Sequence, residues 1–299
     1  MRRLIAAAIA LIATAAPAWA EVSVTDAEGR AVVIRDASRV VSVGGALTEI
    51  VYALGAEAKL VGVDSTSLYP APARSLPQVG YQRTLATEGV LSLAPTLLLA
   101  TEDAGPPTVL AQLGAAGVAL LRLPGKASPE LVPTRIRGVG LALGKQAEAE
   151  ALADHVERQL AALADALAKT PERPKVLFLF ATSPGTLSIA GRDTAADAMI
   201  RLAGGRNAVV EYAGYKPMAT EAAIAAAPDV VLATTEGVRQ IGGPEAVLAL
   251  PGFASSPAAR SRRLIDIDAL ALLGFGPRVA EVAWTIARGL HPDLPPPPK

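Results

Sequence analysis

The sequence predicts an α/β fold of two Rossmann-like lobes, each built on a mainly parallel sheet, joined by a single long backbone helix. In both halves of the 299-residue chain, short apolar segments bounded by Gly and Pro alternate with helical ones. This alternation is typical of parallel strands covered on both faces. A phrase from the first half also returns in the second, which indicates two similar lobes.

The chain begins with a predicted signal peptide over residues 1–20. Arg2 and Arg3 precede an apolar run that is too short for a confident membrane span, and Ala18-Trp19-Ala20 supplies a cleavage site after Ala20. The sequence therefore predicts export to the periplasm without direct membrane insertion. The absence of Cys excludes a lipoprotein anchor and means that the exported chain is stable without disulfides.

Composition narrows the class of ligand. The chain has 28 basic and 28 acidic residues, so it is close to neutral after the leader is removed, which argues against a nucleic-acid partner. Its only two His residues argue against the multi-His sites of zinc or copper carriers. We expect His155 to be solvated on a helix and His291 to be exposed.

The N-terminal α/β lobe is predicted over residues 21–144. Alternating residues from Val22 to Ile34 predict a β-hairpin, and Leu47–Leu54, ended by Gly55, predicts a helix. The short apolar runs predict buried strands; they are Val40–Val43, Leu60–Val63, Thr96–Ala100 and Val118–Leu123.

The bridging helix is predicted over residues 145–170, because Lys145 to Lys169 contains no Gly or Pro and its apolar residues recur every three or four positions. A single rigid helix predicts little motion between the lobes. The C-terminal lobe, 171–292, repeats the alternation of the first lobe. Residues 293–299 form a tail whose Pro-rich part, Pro295–Pro298, is expected to be disordered. The segments predicted in this lobe are strands Lys175–Phe180, Val230–Ala233 and Leu264–Ile267, and helices Thr194–Ala203 and Pro277–Leu290.

The repeated phrase locates a candidate site. Gly80-Tyr81 leads to Glu88 and then Pro95, and Gly214-Tyr215 leads to Glu221 and then Pro228. The Glu and Pro positions are separated by the same 133 residues (88 to 221, and 95 to 228). Because ligands usually bind between lobes, the repeat predicts that both Tyr residues face a shared cleft.

Tyr81 carries the chemistry in this phrase. A phenolate is a hard oxygen donor suited to Fe(III), and tyrosinate is one of the axial ligands of haem iron. The phenol has a pKa near 10, but the permanent positive charge of Arg83, two residues on, would favour the ionised form. From the spacing alone, a Tyr81 ring packed on the lobe surface beside a solvated Arg83 remains the alternative.

Five motifs stand out along the chain: Gly80–Leu93, Gly44–Gly55, Gly191–Ile200, Gly214–Pro217 and Gly242–Gly252. They closely resemble the haem-binding periplasmic proteins of bacterial ABC importers, a branch of the cobalamin- and siderophore-binding-like class. The resemblance covers essentially the whole mature chain, and the Tyr-x-Arg phrase is specific to the haem subgroup. It implies two α/β lobes joined by a backbone helix and a ferric haem b cargo.

The resemblance also implies roles for individual residues. Tyr81 would be the axial iron ligand, and Arg83 the residue that hydrogen-bonds and supports it. Tyr215 would line the opposite wall by packing more than by iron ligation. Arg239 would contact a propionate or the iron face, with a solvated loop position as an equal alternative.

Glu88 and Glu221 are each predicted to open a helix, where a carboxylate is favoured by the helix dipole. The resemblance implies a second role, in which one Glu on each lobe forms salt bridges with the two-fold permease of the importer and so couples it to the ATPase. A monomer is expected to dock in this way.

The runner-up cargo is cobalamin or a ferric siderophore. An enzyme is not predicted, because the chain has no Gly-x-Ser-x-Gly elbow, no Cys nucleophile and no phosphate-binding loop. A purely adhesive role would not need a cleft repeated in this way.

Overall fold

The computed structural model describes residues 21–183 and 186–298, so the predicted signal peptide, 1–20, lies outside the described residues. Within those ranges, no helix is both long and apolar enough to cross a membrane. The model has two lobes, as the sequence predicts. The domain limits 21–144, 145–170 and 171–292 stay predictions.

The first lobe opens with the predicted hairpin and continues with a four-stranded sheet. Strands β1 (Val22–Thr25) and β2 (Ala31–Ile34) pair antiparallel. The sheet order is β4-β3-β5-β6 and every pair in it is parallel. The remaining elements of this lobe are β3 (Val40–Val43), α1 (Gly45–Ala53), β4 (Leu60–Val63), α2 (Thr87–Leu91), β5 (Leu97–Thr101), α3 (Pro107–Ala115) and β6 (Ala119–Leu123).

Two helices follow where the sequence predicts one. Helix α4 (Leu131–Leu143) ends at Gly144 in the left-handed conformation, and α5 (Gln146–Leu167) runs back along it as the predicted backbone helix. Gly140 allows this packing, because a Cβ placed there would lie 2.1 Å from the Cβ of Ala149. At about 1.5 Å per residue, α5 spans roughly 33 Å.

The second lobe has a mixed sheet of order β10-β8-β7-β11-β12, with β9 paired to β7. Its centre is parallel, as predicted, but β8 and β10 add on in the antiparallel sense. Strands β8, β9 and β10 are not predicted from the sequence. The strands are β7 (Lys175–Ser183), β8 (Thr186–Ala190), β9 (Arg206–Asn207), β10 (Tyr215–Pro217), β11 (Val230–Thr234) and β12 (Leu264–Ile267).

Seven helices in the described ranges cover this sheet. The longest packs on α5, where Trp284 Nε1 donates a hydrogen bond to the carbonyl oxygen of Gln159. They are α6 (Ala195–Leu202), α7 (Thr220–Ala226), α8 (Thr235–Ile241), α9 (Pro244–Leu248), α10 (Pro257–Arg260), α11 (Ala269–Leu273) and α12 (Val279–Leu290).

One hydrophobic core runs through both lobes. The buried face of α5, with Val156, Leu163 and Leu167, joins the same cluster as Leu47 of α1 and Ile286 of α12. Separate clusters cover the opposite face of each sheet. Both sheets are therefore buried on two faces, which explains the unbroken apolar strands β5 and β11.

The backbone repeats as the sequence does. Ala94 and Ala227, each followed by Pro, have φ of 44° and 41°, a left-handed conformation that is unfavourable for alanine. Gly80 and Gly214, each followed by Tyr, have φ of 93° and 81°. The two phrases thus share these backbone turns, and each contains a short helix, α2 or α7. They differ at the Tyr, because Tyr215 begins strand β10 whereas Tyr81 lies in a loop.

Two expectations are wrong. His291 is buried, with 7% of its surface exposed, and its Nε2 lies 3.3 Å from the carbonyl oxygen of Gly204. The Pro-rich tail, expected to be disordered, lies against α5, where Gln159 donates a hydrogen bond to the carbonyl of Pro298. Leu294 anchors it in the shared core.

The α4–α5 contact gives a test of the packing. We expect Gly140→Ala to lower the free energy of unfolding by about 1–3 kcal/mol, because its methyl group would overlap Ala149 and force the helices apart. Urea unfolding followed by circular dichroism measures the change.

Gly89→Ala in α2 is the matched control. A Cβ at position 89 meets only Ala86, at 4.0 Å, so this change should be neutral or should gain roughly 0.5–1 kcal/mol. Equal stability changes in the two variants would contradict the close packing of α4 on α5.

Candidate functional site

The Tyr81 loop is tied to the carboxyl edge of the first sheet. The backbone NH of Ser65, after β4, donates to the carbonyl of Gly80, and the NH of Gly105, after β5, donates to that of Gln82. The Tyr81 side chain keeps 41% of its surface exposed. Ligands of open α/β sheets bind at this edge, so the loop presents a phenol where a ligand is expected.

Arg83 lies between Tyr81 and a carboxylate that the sequence analysis missed. Its Nη1 donates to the Tyr81 hydroxyl oxygen at 3.4 Å, while its Nε and Nη2 both donate to Asp103 Oδ2, at 3.1 and 2.5 Å. Thr101 Oγ1 donates to the other oxygen of Asp103, at 2.5 Å. The carboxylate therefore fixes the plane of the guanidinium that faces Tyr81.

The charges of this group support one another. Burial alone would raise the pKa of Asp103, but hydrogen bonds from Thr101 and Arg83 and the charge of Arg83 outweigh it and hold that pKa below its usual value. The hydrogen bond to Asp103 raises the pKa of Arg83. Because a guanidinium only donates, the Tyr81 oxygen must accept its hydrogen bond, a geometry suited to a phenolate.

Tyr215 has a different environment in the second lobe. It begins edge strand β10, and its ring lies 5.9 Å from that of Phe180 and 6.5 Å from that of Phe178. Burial raises the pKa of Tyr215 despite hydrogen bonds at Thr194 and Ala196. Its exposed fraction, 42%, matches that of Tyr81, but within the described ranges no cation hydrogen-bonds its hydroxyl.

Arg239 lies on α8, at the carboxyl end of β11, and is exposed. Among the described residues, no hydrogen bond or ion pair holds its side chain. It is thus an available cation at the edge of the second sheet.

Glu88 and Glu221 occupy equivalent places. Each lies in the first turn of a short helix, α2 or α7, and each follows an Ala N-cap that makes no side-chain hydrogen bond. Both carboxylates are exposed, and neither has an ion-pair partner among the described residues. The predicted helix starts are confirmed.

A cavity of about 680 Å³ lies elsewhere, between α1, α5 and the start of α12. None of the site residues predicted from the sequence lines it, although His155 does. Its two most buried charges, Glu49 and Arg278, bind each other. Within 21–183 and 186–298, no group of three or more His, Asp or Glu side chains is placed to hold a metal ion.

The structure thus brings together Tyr81 and Arg83, and places Tyr215 and Arg239 in the other lobe. It adds Asp103 and Phe180, which sequence reasoning missed. One signal was available for Asp103, because polar residues that directly follow a buried parallel strand point to the ligand edge of the sheet.

A family model described as periplasmic binding protein matches residues 40–271. Among solved structures, the periplasmic heme-binding protein RhuT from Roseiflexus sp. RS-1 is 42% identical, with a TM-score of 0.79 over 86% of this chain and 99% of that one. The periplasmic heme-binding protein BhuT in complex with two hemes is 46% identical, with a TM-score of 0.78 over 84% and 97%.

Curated relatives are more distant. The ABC transporter substrate-binding lipoprotein YvrC of Bacillus subtilis is 29% identical over 91% of this chain and 86% of that protein. A vitamin B12-binding protein of Yersinia pestis is 31% identical over a match that covers 57% of this chain and 60% of that relative.

The Arg83–Asp103 pair predicts a pH-dependent contribution to stability. The pKa of Asp103 is lower in the folded state than its usual value of 3.8, so the stabilisation is present above that pH and is lost as the pH falls through the folded-state pKa. Asp103→Asn should therefore be destabilising at neutral pH, and its difference from wild type should shrink as the pH falls below 3.8 and through the lower folded-state pKa. Urea unfolding at several pH values measures this.

Asp103→Asn in an Arg83→Gln background is the control. With the guanidinium absent, the difference between Asp and Asn should be smaller at neutral pH. A difference that is independent of both pH and Arg83 would show that the pair does not act through its charges.

Proposed function

The chain belongs to the periplasmic binding protein family, a family of binding proteins rather than enzymes, and we propose that it binds ferric haem b between its lobes and delivers it to an ABC importer. Tyr81 supplies the axial oxygen ligand. The observation that carries this proposal is the exposed Tyr81 hydroxyl, which accepts a hydrogen bond from a guanidinium held by Asp103.

Ferric iron favours this oxygen because phenolate is a hard, anionic ligand. Arg83 stabilises the negative charge left by the proton, and cannot itself bind the metal because it has no lone pair to offer. Asp103 keeps the guanidinium in place when the cargo leaves. The apo protein therefore holds its ligand group ready for the next haem.

Tyr215 provides an apolar wall. Its hydroxyl already has partners at Thr194 and Ala196, and burial raises its pKa, so it is a poorer iron ligand than Tyr81. Together with Phe180 it offers stacked aromatic surface to a porphyrin face. Arg239 is exposed and without a carboxylate partner among the described residues, which suits a haem propionate.

Export and docking complete the proposal. Residues 1–20 direct a monomer to the periplasm, in keeping with the substrate-binding lipoprotein among its relatives. Glu88 and Glu221, on equivalent helix starts, dock onto basic residues of the two-fold permease, and the ATPase drives uptake.

Cobalamin is the second candidate, favoured by the vitamin B12-binding relatives. Those relatives match little more than half of this chain, whereas the solved heme-binding proteins match more than four-fifths at higher identity. The Tyr81–Arg83 pair suits a metal that needs an added anionic ligand. Haem is therefore the preferred cargo.

Hemin titration tests the ligand. We expect wild-type protein to give a Soret band and a tyrosinate charge-transfer band, and Tyr81→Phe to lose the second band and bind roughly 100-fold more weakly, a change of about 2.7 kcal/mol. Absorbance spectra and competition with apomyoglobin measure the two effects.

Tyr215→Phe is the matched control, because it removes a hydroxyl from an equally exposed ring and should keep the charge-transfer band. His155→Ala should leave the spectrum unchanged, since His155 lines the separate cavity. Wild-type spectra in Tyr81→Phe would refute the ligand assignment. Tight binding of cobalamin or a ferric siderophore instead of hemin would refute the cargo.

Docking has its own test. Glu88→Ala and Glu221→Ala should each leave hemin binding unchanged and weaken stimulation of the importer ATPase by roughly tenfold, because each removes one charged contact. Reconstituted importer in lipid nanodiscs measures this stimulation.

Glu245→Ala is the control, because Glu245 is also an exposed carboxylate in the first turn of a short helix. It should have no effect. Equal effects at all three positions would indicate a general dependence on charge instead of two-point docking.

A further inference from the structure

An ion pair between Glu49 and Arg278 joins the two lobes. Arg278, the residue directly before α12 in the second lobe, donates from Nε to Glu49 Oε1 at 2.7 Å and from Nη2 to Glu49 Oε2 at 3.0 Å. Glu49 lies in α1 of the first lobe. The Glu49 side chain is 5% exposed and that of Arg278 is 22% exposed. This two-point geometry fixes orientation as well as distance.

Further groups hold the same guanidinium. The Tyr69 ring, from the loop after β4, lies 3.8 Å from Arg278 Cζ, so the guanidinium is contacted on its face as well as its edge by the first lobe. Asp268 Oδ1, from the second lobe, lies 3.6 Å from Nη2. Arg278 is thus a second-lobe side chain that lies in a first-lobe pocket.

Close backbone contact surrounds the pair. A Cβ on Gly276 would lie 3.4 Å from Glu49 Oε2 and 3.6 Å from Ala46 Cα. A Cβ on Gly45 would lie 2.8 Å from Leu270 Cδ1. The distances at Gly276 are those of ordinary van der Waals contact and the one at Gly45 is shorter, so α1 packs directly against residues 270–276 beside the ion pair.

The pair resists opening for an electrostatic reason. Separation of the lobes would break both charge-assisted hydrogen bonds between Glu49 and Arg278 and the contact of the guanidinium with Tyr69. Surface pairs such as Arg137 with Glu150 and Glu157 are weaker, since their charges remain in water.

We infer that Arg278, Glu49 and Tyr69 form an inter-lobe latch that fixes how far apart the Tyr81 and Tyr215 walls lie. The backbone helix α5 supplies one connection between the lobes, and the latch supplies a second. Its residues act by positioning, since they contact each other and not the proposed cargo site. The latch does not depend on which cargo binds, so it is separable from the proposed function.

The absence of Cys makes the latch measurable. Ala111→Cys on α3 and Glu245→Cys on α9, both exposed, give one nitroxide label on each lobe. Pulsed electron paramagnetic resonance on the apo protein reports the distance between them. We expect a single narrow distribution with the latch intact, and a broadened distribution, or one shifted by several ångströms, in Arg278→Gln.

Arg137→Gln is the matched control, because it removes an arginine that binds Glu150, Asp154 and Glu157 without linking the lobes. It should keep the narrow distribution. Glu49→Gln serves as the second variant, since it keeps the side-chain shape and removes the charge. Should Arg278→Gln fail to fold, Glu49→Gln alone decides.

A folded latch variant with the wild-type distance distribution would overturn the inference. So would equal broadening in Arg137→Gln. Because hemin is absent from the experiment, a failure to bind haem would refute the proposed function without touching the latch. Likewise, an unchanged distance distribution would refute the latch without bearing on haem binding.

Discussion

The apolar stripe of α5 is the contact on which the two-lobe arrangement depends. Its buried residues join the first-lobe core through α4 and the second-lobe core through α12, so a single hydrophobic cluster crosses the molecule. Each sheet then needs only its own outer helices to cover the other face. Because the hydrophobic effect is non-directional, this shared core sets proximity but not angle. The ion pair between Glu49 and Arg278 adds the direction that apolar packing lacks.

Much of the fold was predictable because its strands are buried on both faces. Unbroken apolar runs such as Leu97–Thr101 and Val230–Thr234 are visible in the sequence whatever surrounds them. Strands β8 and β10 were not, because they are short, partly polar and exist only by pairing with β7 or with each other. Helix α4 was missed because Pro133 and two glycines, which usually interrupt helices, lie within it.

Direct contacts within the site were predictable where the residues are close in sequence. Tyr81 and Arg83 are two apart, so their contact could be foreseen. Asp103 reaches Arg83 across twenty residues, through the fold of β5, and nothing in the spacing reveals it. The burial of His291 was likewise not predictable from the sequence. A lone His beside Pro gives no periodic signal, so its burial against Gly204 depends on tertiary packing alone.

The paired left-handed alanines have a consequence for how such a protein can change over generations. Ala94 lies shortly after α2 and Ala227 directly after α7, and each precedes a Pro on the way into β5 or β11. What the two halves share is thus a backbone path, whereas Tyr81 and Tyr215 have unlike neighbours. Substitutions at the surroundings of either Tyr can therefore accumulate one side chain at a time, while the backbone that carries both phrases stays the same.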